Sequence, residues 1–326
     1  MKMTENEIQA AYGLLKPAEH EDKLGATTMK KDVVYNKAFR YSAKNAIEPT
    51  FSEGLTKYAA EYAATGVLDE LNFIAPPVEI TSKVFEYRTF GSGTLFVDDE
   101  RARYGEFEKV QYPAGEMQIK SAINRGLQVF VDNQEGTAVS DESVVRRLMR
   151  RLIRGELFRA YQLAMKIAVS ATESEWSDSK SKPDSDLRKL LLSSVDSCGV
   201  RANRIVSSGS AWAIRAERYE DSPASALSAQ QVSDKLEIER LLVSKEYYSA
   251  VANGKKVNLP MLPNGVVLAF YGEDDVSDCD FSSLKRFCTD FKVHREEVAK
   301  GRLISVEHYS RLAATGAGSV AALKIS

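Results

Sequence analysis

Between Ser140 and Trp176, the residues Val145, Leu148, Met149, Leu152, Tyr161, Ala164 and Ala168 recur at three- and four-residue steps through about eight helical turns. This spacing predicts one long helix. From Asp141 to Ala171 it would run roughly thirty residues and about 45 Å at 1.5 Å per residue, more than the width of an ordinary compact domain. Ser140 is placed to cap its start, and Asp141 and Glu142 set negative charge against the positive end of the helix dipole. Gly155 falls in the middle, where it costs about 1 kcal/mol relative to alanine, so the sequence predicts a close neighbour or a bend there.

A chain of 326 residues with 44% hydrophobic content has enough apolar material for one large core or two modest ones. A formal charge of −2 leaves no overall basic field to hold nucleic acid by counterion release. Cys198, Cys279 and Cys288 are odd in number and have no paired spacing, and His20, His294 and His308 are scattered. Neither a disulfide framework nor a zinc site is expected. No run approaches the length of a membrane span, and the expected setting is a reducing cytoplasm.

Along the chain, residues 1–46 read as an arm with a basic second half, from Lys30, Lys31, Lys37, Arg40 and Lys44. Leu55, Tyr58, Ala59, Tyr62 and Ala63 predict a short helix that Gly66 interrupts or ends. Val84, Phe85, Tyr87 and Phe90 predict a strand, and Ile123, Leu127, Val129 and Val131 another. The stretch between them mixes Asp98, Asp99, Glu100, Arg101, Arg103, Glu106, Glu108 and Lys109 with Tyr104, Phe107 and Tyr112. That much charge cannot enter one core, so it reads as a hairpin-like excursion that needs a partner. The serine-rich stretch 177–185 marks a domain boundary. After it come a helix ending at Gly199, a strand at Arg204–Ser207, a helix at Ser210–Arg218 with Trp212, a helix at Ala229–Leu236, and strands near 238–243, 265–271 and 320–325.

Candidate chemistry is sparse. Gly316, Gly318 and Ala321 have dinucleotide-loop spacing, but too little chain follows for the helix that such a site needs. Ser207, Ser208 and Ser210 lie between a strand and a helix, without the glycine spacing of a nucleophile elbow. Helix capping is the simpler reading, and a hydrolase using a serine near Ser208 is the alternative it competes with. His294 and His308, with Glu296, Glu297 and Glu307 nearby, read as surface strand positions. Asp274, Asp275, Asp278 and Asp280 lack the pattern of a calcium loop and read as an acidic surface loop. Arg146, Arg147, Arg150, Arg151, Arg154 and Arg159 crowd the long helix. They suit a solvated or intersubunit face, or phosphate contacts. No catalytic, cofactor or metal site is assigned.

Several motifs resemble the major capsid protein family of tailed bacteriophages, whose coat fold is shared with encapsulins and herpesvirus shells. They are Arg154 and Glu156 within the long helix, Trp176 just after it, and Asp184, Asp186 and Leu187 opening the next helix. Gly199, Asn203, Arg204, Ile205 and Val206 followed by Gly209, Ser210, Ala211 and Trp212 are similar to the family's strand-to-helix step. The resemblance implies an α+β fold with an N-terminal arm (1–46), an N-terminal helix and lead-in strand (47–84) and an extended β-hairpin loop (85–124). A peripheral domain with a spine helix (125–175), a mixed α/β axial domain (176–288) and return strands of the peripheral domain (289–326) would complete it. It further implies a non-catalytic head-shell subunit forming hexamers and pentamers, assembled in the host cytoplasm and found in the virion. Separate scaffolding, portal or decoration proteins and weakly held packaged DNA would be its partners, with no membrane. An encapsulin-like compartment shell is the alternative within the same fold. Tyr104, Phe107, Tyr112, Arg146, Arg147, Arg150 and Arg151 are the expected subunit contacts.

Overall fold

The computed structural model describes residues 50–90, 116–133, 139–168, 171–178, 180–220, 223–252, 255–277, 280–316 and 318–326. The arm expected at 1–46, the interior of the loop expected at 85–124, and with it Tyr104, Phe107 and Tyr112, lie outside the described residues.

Strand β1 (Thr50–Phe51) leads into helix α1 (Glu53–Tyr62), and a short turn then carries the chain to α2 (Asp69–Ile74). Gly66 makes this interruption. At φ +83° it adopts the left-handed conformation that side chains disfavour, and a Cβ there would sit 3.0 Å from Asp69 Oδ2.

The predicted long helix is α3 (Asp141–Ile167), 27 residues and about 40 Å long. Ser140 caps it, its Oγ accepting from the Ser143 N–H at 3.2 Å. The helix is shorter than its apolar spacing suggested. Ala168 turns out of helical geometry at ψ 120°, and Ala171–Ser174 forms a strand, β6, paired in parallel with the last strand of the chain. A neighbouring sheet edge outcompetes helix propensity in this short, partly β-branched segment.

Two sheets flank the helix. In the first, β14 (Gly301–Ala314) is the axis. Along its length it pairs antiparallel with β13 (Lys292–Val298), β12 (Leu284–Cys288) and β5 (Ile123–Asp132), while β1 and β2 (Pro77–Glu79) extend the sheet through β13 and β12. In the second, the order is β6, β15 (Ala321–Ile325), β11 (Val266–Phe270), β7 (Arg204–Ser208), β8 (Arg240–Ser244).

The second sheet is covered on both faces, so β11 reads as a continuous apolar run and every residue of β7 is buried, Arg204, Ser207 and Ser208 included. Val206, Val266, Leu268 and Phe270 face the core built around α3. Ile205, Val267, Ala269 and Leu323 face a second core with Trp176 and three helices, α4 (Pro183–Cys198), α5 (Gly209–Arg218) and α6 (Ala229–Leu236). Gly199, at φ +74°, ends α4 as its sequence position suggested.

Sheet membership does not follow the segment boundaries expected at 175 and 288. β6 and β15 belong to the second sheet, and β12 to the first. Pro49–Tyr248 and Leu259–Ser326 form one compact unit. Strand pairing is non-local, so position along the chain does not reveal which sheet a short terminal strand joins. Ser249–Asn258 falls outside that unit. Strands β9 (Tyr247–Ala252) and β10 (Lys255–Pro260) pair with each other, and the Ser249 hydroxyl donates to Asn258 Oδ1 at 2.7 Å.

Candidate intersubunit surface

A ribbon of β3 (Val84–Arg88), β4 (Met117–Ser121) and β5 concentrates exposed apolar surface. Seven of the twelve large apolar side chains exposed among the described residues lie on it: Val84, Met117, Ile119, Ile123, Leu127, Val129 and Phe130. β3 and β4 pair antiparallel, setting Glu86 opposite Ile119 and Arg88 opposite Met117 on the outer face. The inner face carries Phe85 and Tyr87, which rest on Phe287 of β12 at ring distances of 4.5 Å and 5.2 Å. One face of the hairpin base is thus pinned to the first sheet, and the other shows Met117 at 54% and Ile119 at 61% exposure.

β5 continues the ribbon as an edge. It pairs with β14 from Ile123 to Asp132 and with no other strand among the described residues, so its second row of backbone donors and acceptors faces outward. A ten-residue edge strand carrying exposed apolar side chains is a ready template for another chain.

The arginines of α3 form an adjoining charged face. Arg146, Arg147, Arg150, Arg151 and Arg154 are all exposed, while Val145, Leu148, Met149, Leu152 and Ile153 face the core. Arg150 donates from Nε to the Tyr62 hydroxyl at 2.6 Å, and Arg154 pairs with Glu246 at 3.0 Å and donates to the Tyr247 carbonyl. Arg146, Arg147 and Arg151 make no ion pair among the described residues and are open to a partner.

Beneath this face Glu156 is buried. It follows Leu152 and Ile153 on the core stripe, and the place where it enters explains its burial. Along β14 the inward positions change from Ile304 and Val306 to His308 and Ser310, so α3 presents a carboxylate where the sheet turns polar. Glu156 Oε2 lies 3.3 Å from Arg286 Nη1, and Oε1 lies 3.3 Å from His308 Nε2 and accepts from the Ser310 hydroxyl. Burial alone would raise its pKa, but His308, Arg286 and Ser310 overcome that and hold it at about 2. His308 is therefore a core residue stacked on Phe291 at 4.3 Å, not the surface residue its sequence context suggested. A carboxylate on an otherwise apolar helical stripe was the signal for this cluster in the sequence.

The other candidates resolve into structural roles. Ser208 caps α5, accepting from the Ala211 N–H at 3.3 Å, and the Ser210 hydroxyl accepts from the Gly265 N–H at 2.8 Å. Asp274 pairs with the buried Arg204 at 2.8 Å, and Glu239 pairs with the same guanidinium at 2.6 Å. His294 lies 3.3 Å from Glu307 across β13 and β14. Cys198 is buried, Cys288 half-buried, and Asp278 and Cys279 lie outside the described residues. No described helix is long and apolar enough to cross a membrane.

No family model and no curated protein matches the sequence. Among solved structures, the chain is similar to a phage-related protein of Bordetella bronchiseptica RB50. The TM-score is 0.66 and the identity 14%, over 84% of this chain and 97% of that one. It is also similar to a virus-like particle of Pyrococcus furiosus, at TM-score 0.51 and 12% identity, over 84% of this chain and all of that one (100%). The chain has a phage-capsid-type fold. The capsid structure of the cyanophage P-SCSP1u covers 90% of the chain at TM-score 0.49 and 9% identity. At 14% and 12% identity, the likeness to the first two structures shows the fold alone.

Proposed function

We propose that this chain is a shell subunit, a major capsid protein whose copies assemble into an icosahedral head around double-stranded phage DNA, without catalysis. The observation that carries this reading is the exposed apolar ribbon of β3, β4 and β5 on a chain with a capsid-type fold. A subunit working alone gains nothing from an apolar strand edge, whereas copies in a shell bury it.

In the assembly, the charged stretch 85–124 of one copy lies over the α3 region of its neighbour. Tyr104, Phe107 and Tyr112 act as apolar anchors, and Arg146, Arg147, Arg150 and Arg151 take part in the contact. Each interface is weak, which lets misplaced copies leave, and many together make the closed shell stable. Hexamers and pentamers, separate scaffolding or portal proteins, and weak non-specific contacts to packaged DNA belong to the same reading, with assembly in the host cytoplasm and residence in the virion.

Expression of the chain followed by electron microscopy tests it. Wild type forms closed particles, and Phe107→Asp leaves a folded subunit that does not assemble. Normal shells from Phe107→Asp remove the loop from the mechanism, and a discrete monomer from wild type removes the function.

A second reading, an encapsulin-like compartment, draws on the likeness to the Pyrococcus furiosus virus-like particle. The contents of purified particles separate the two, nucleic acid for the head and protein for the compartment.

A further inference from the structure

At the junction of α3 and β5, positive charge exceeds what the one local carboxylate balances. Glu156 is engaged by Arg286, His308 and Ser310. Arg125 of β5 reaches the same carboxylate only at 3.7 Å, its Nε–H donating to the Ser310 hydroxyl at 3.1 Å. Arg311 adds its charge to the field on Arg125.

Arg159 stands one turn beyond Glu156 and has no ion pair among the described residues. Its guanidinium lies back across Gly155, with Nη1 3.5 Å from where a Cβ would be, and its Nε is buried without a hydrogen-bond partner. One turn further, the Gln162 amide nitrogen is also buried without a partner. Burial, followed by the charge of Arg125, lowers the pKa of Arg159 to about 10 against the opposing pull of Glu156. Both side chains are partly exposed, which lets a ligand reach them from solvent.

Unpartnered N–H groups on the Arg159 fork and the Gln162 amide, beside the Arg125 fork whose Nε–H is taken by Ser310, match a carboxylate, which can take bidentate hydrogen bonds from arginine. On β5, Arg125 lies two positions from Ile123 and two from Leu127, so the site is set into the apolar ribbon.

We propose that Arg125, Arg159 and Gln162 form a carboxylate-binding site, filled by the acidic run Asp98-Asp99-Glu100 of a second copy of this chain. The proposal rests on the shell-subunit reading and names the charged contact that fixes register there. Complementarity selects the occupant. The stretch 91–115 carries five acidic residues, Asp98, Asp99, Glu100, Glu106 and Glu108, against Arg101, Arg103 and Lys109, and the first three acids are consecutive. Until the second copy arrives, Arg159 is a half-buried charge whose nearby carboxylate, Glu156, is already engaged by Arg286. Assembly relieves that strain, which makes the contact favourable between copies and not within an isolated subunit.

The experiment compares particle yield, by sedimentation and electron microscopy, for wild type, Arg159→Glu, and Arg159→Glu combined with Asp98→Lys, Asp99→Lys and Glu100→Lys. Arg159→Glu is expected to lower the yield at least tenfold, and the combined charge swap to restore most of it. Equal yield from Arg159→Glu, or no recovery on the swap, overturns the site while leaving the shell reading intact. Absence of particles from wild type overturns the shell reading itself. Arg159→Met guards against misfolding. Its soluble subunit should melt at or above the wild-type temperature, and a synthetic peptide of residues 96–109 should bind it at least tenfold more weakly than wild type by calorimetry. Equal peptide binding by the two proteins also overturns the site.

Discussion

Arg286 reaches Glu156 from β12 at 3.3 Å, joining the long helix to the first sheet through a buried ion pair. The pair sits where β14 changes from apolar to polar inward residues, so it ties α3 to one register along the sheet. Arg286 also donates to Asn72 Oδ1 at 2.9 Å, which links the same guanidinium to α2.

Acid stability should report this pair. The folded pKa of Glu156, at about 2, lies below its ordinary 4.5, so its stabilising contribution is complete above pH 4.5 and is lost as pH falls toward 2. The depression corresponds to about 3 kcal/mol. Glu156→Gln should cost about 3 to 5 kcal/mol at pH 7, because it leaves Arg286 buried and unpaired. It should also flatten the stability profile between pH 4.5 and 2, as measured by urea unfolding. An unchanged acid limb in this variant would assign acid unfolding to other carboxylates.

Glu70 behaves with the opposite sign. Burial raises its pKa above 4.5 and the nearby Glu246 adds to that, while Tyr161 at 2.5 Å and Ser244 at 2.8 Å donate to it and oppose the rise. A carboxyl with a raised folded pKa weakens the fold as pH climbs from 4.5 through that value. Glu70→Gln keeps an acceptor for both hydroxyls and removes the charge. Its melting temperature should exceed wild type at pH 8 and match it near pH 4. A gain of equal size at both pH values would mean that charge is not the cause.

The long helix, its cap, the Gly66 break and the buried strand β11 were legible in the sequence because each rests on a local signal: period, cap residue, glycine position or apolar run. Glu156, Arg125 and Arg159 were not assembled from it. Their meeting depends on the register of β14 against β5 and on α3 crossing that pair, and the contacts that β12 and β14 make there join segments more than a hundred residues apart in the chain. The helix C-terminus was misplaced for a related reason. Ala171–Ser174 continues a helix-compatible stretch, but β15, the last strand of the chain, gives it a sheet edge to join. The exposure of β5 was equally hidden, since an apolar alternation does not say which partner covers it.

Gly155 offers a test of how α3 is built. A Cβ there would meet only the Arg159 guanidinium at 3.5 Å, an ordinary contact at the end of a flexible side chain. Gly155→Ala should therefore gain about 0.5 to 1 kcal/mol from helix propensity. By calorimetry this is a rise of about 1 to 4 °C for a domain somewhat smaller than this one, and less here. A fall in melting temperature would show that the helix needs the extra freedom of glycine at its midpoint.

The two faces of the β3–β4 hairpin should respond oppositely to substitution, and that contrast separates folding from assembly. Phe85 is buried against Phe287, whereas Ile119, on the neighbouring strand, is 61% exposed. Phe85→Ala removes a stacked ring and should cost about 3 kcal/mol or more. Because Phe85 belongs to a small cluster apart from the main core, the loss should be felt first as hydrogen exchange at Val84–Arg88, with the amides of α3 still protected. Ile119→Ser should change stability by no more than about 0.5 kcal/mol, since the side chain has little to lose on its own subunit. Particle yield should nonetheless fall in Ile119→Ser, because that face gains its cover only from another copy. If Ile119→Ser assembled as wild type does, the outer face of the hairpin base would not be part of the contact. If Phe85→Ala lost protection equally in α3 and β3, the hairpin would be an integral part of the main core and not an element anchored to it by one aromatic stack.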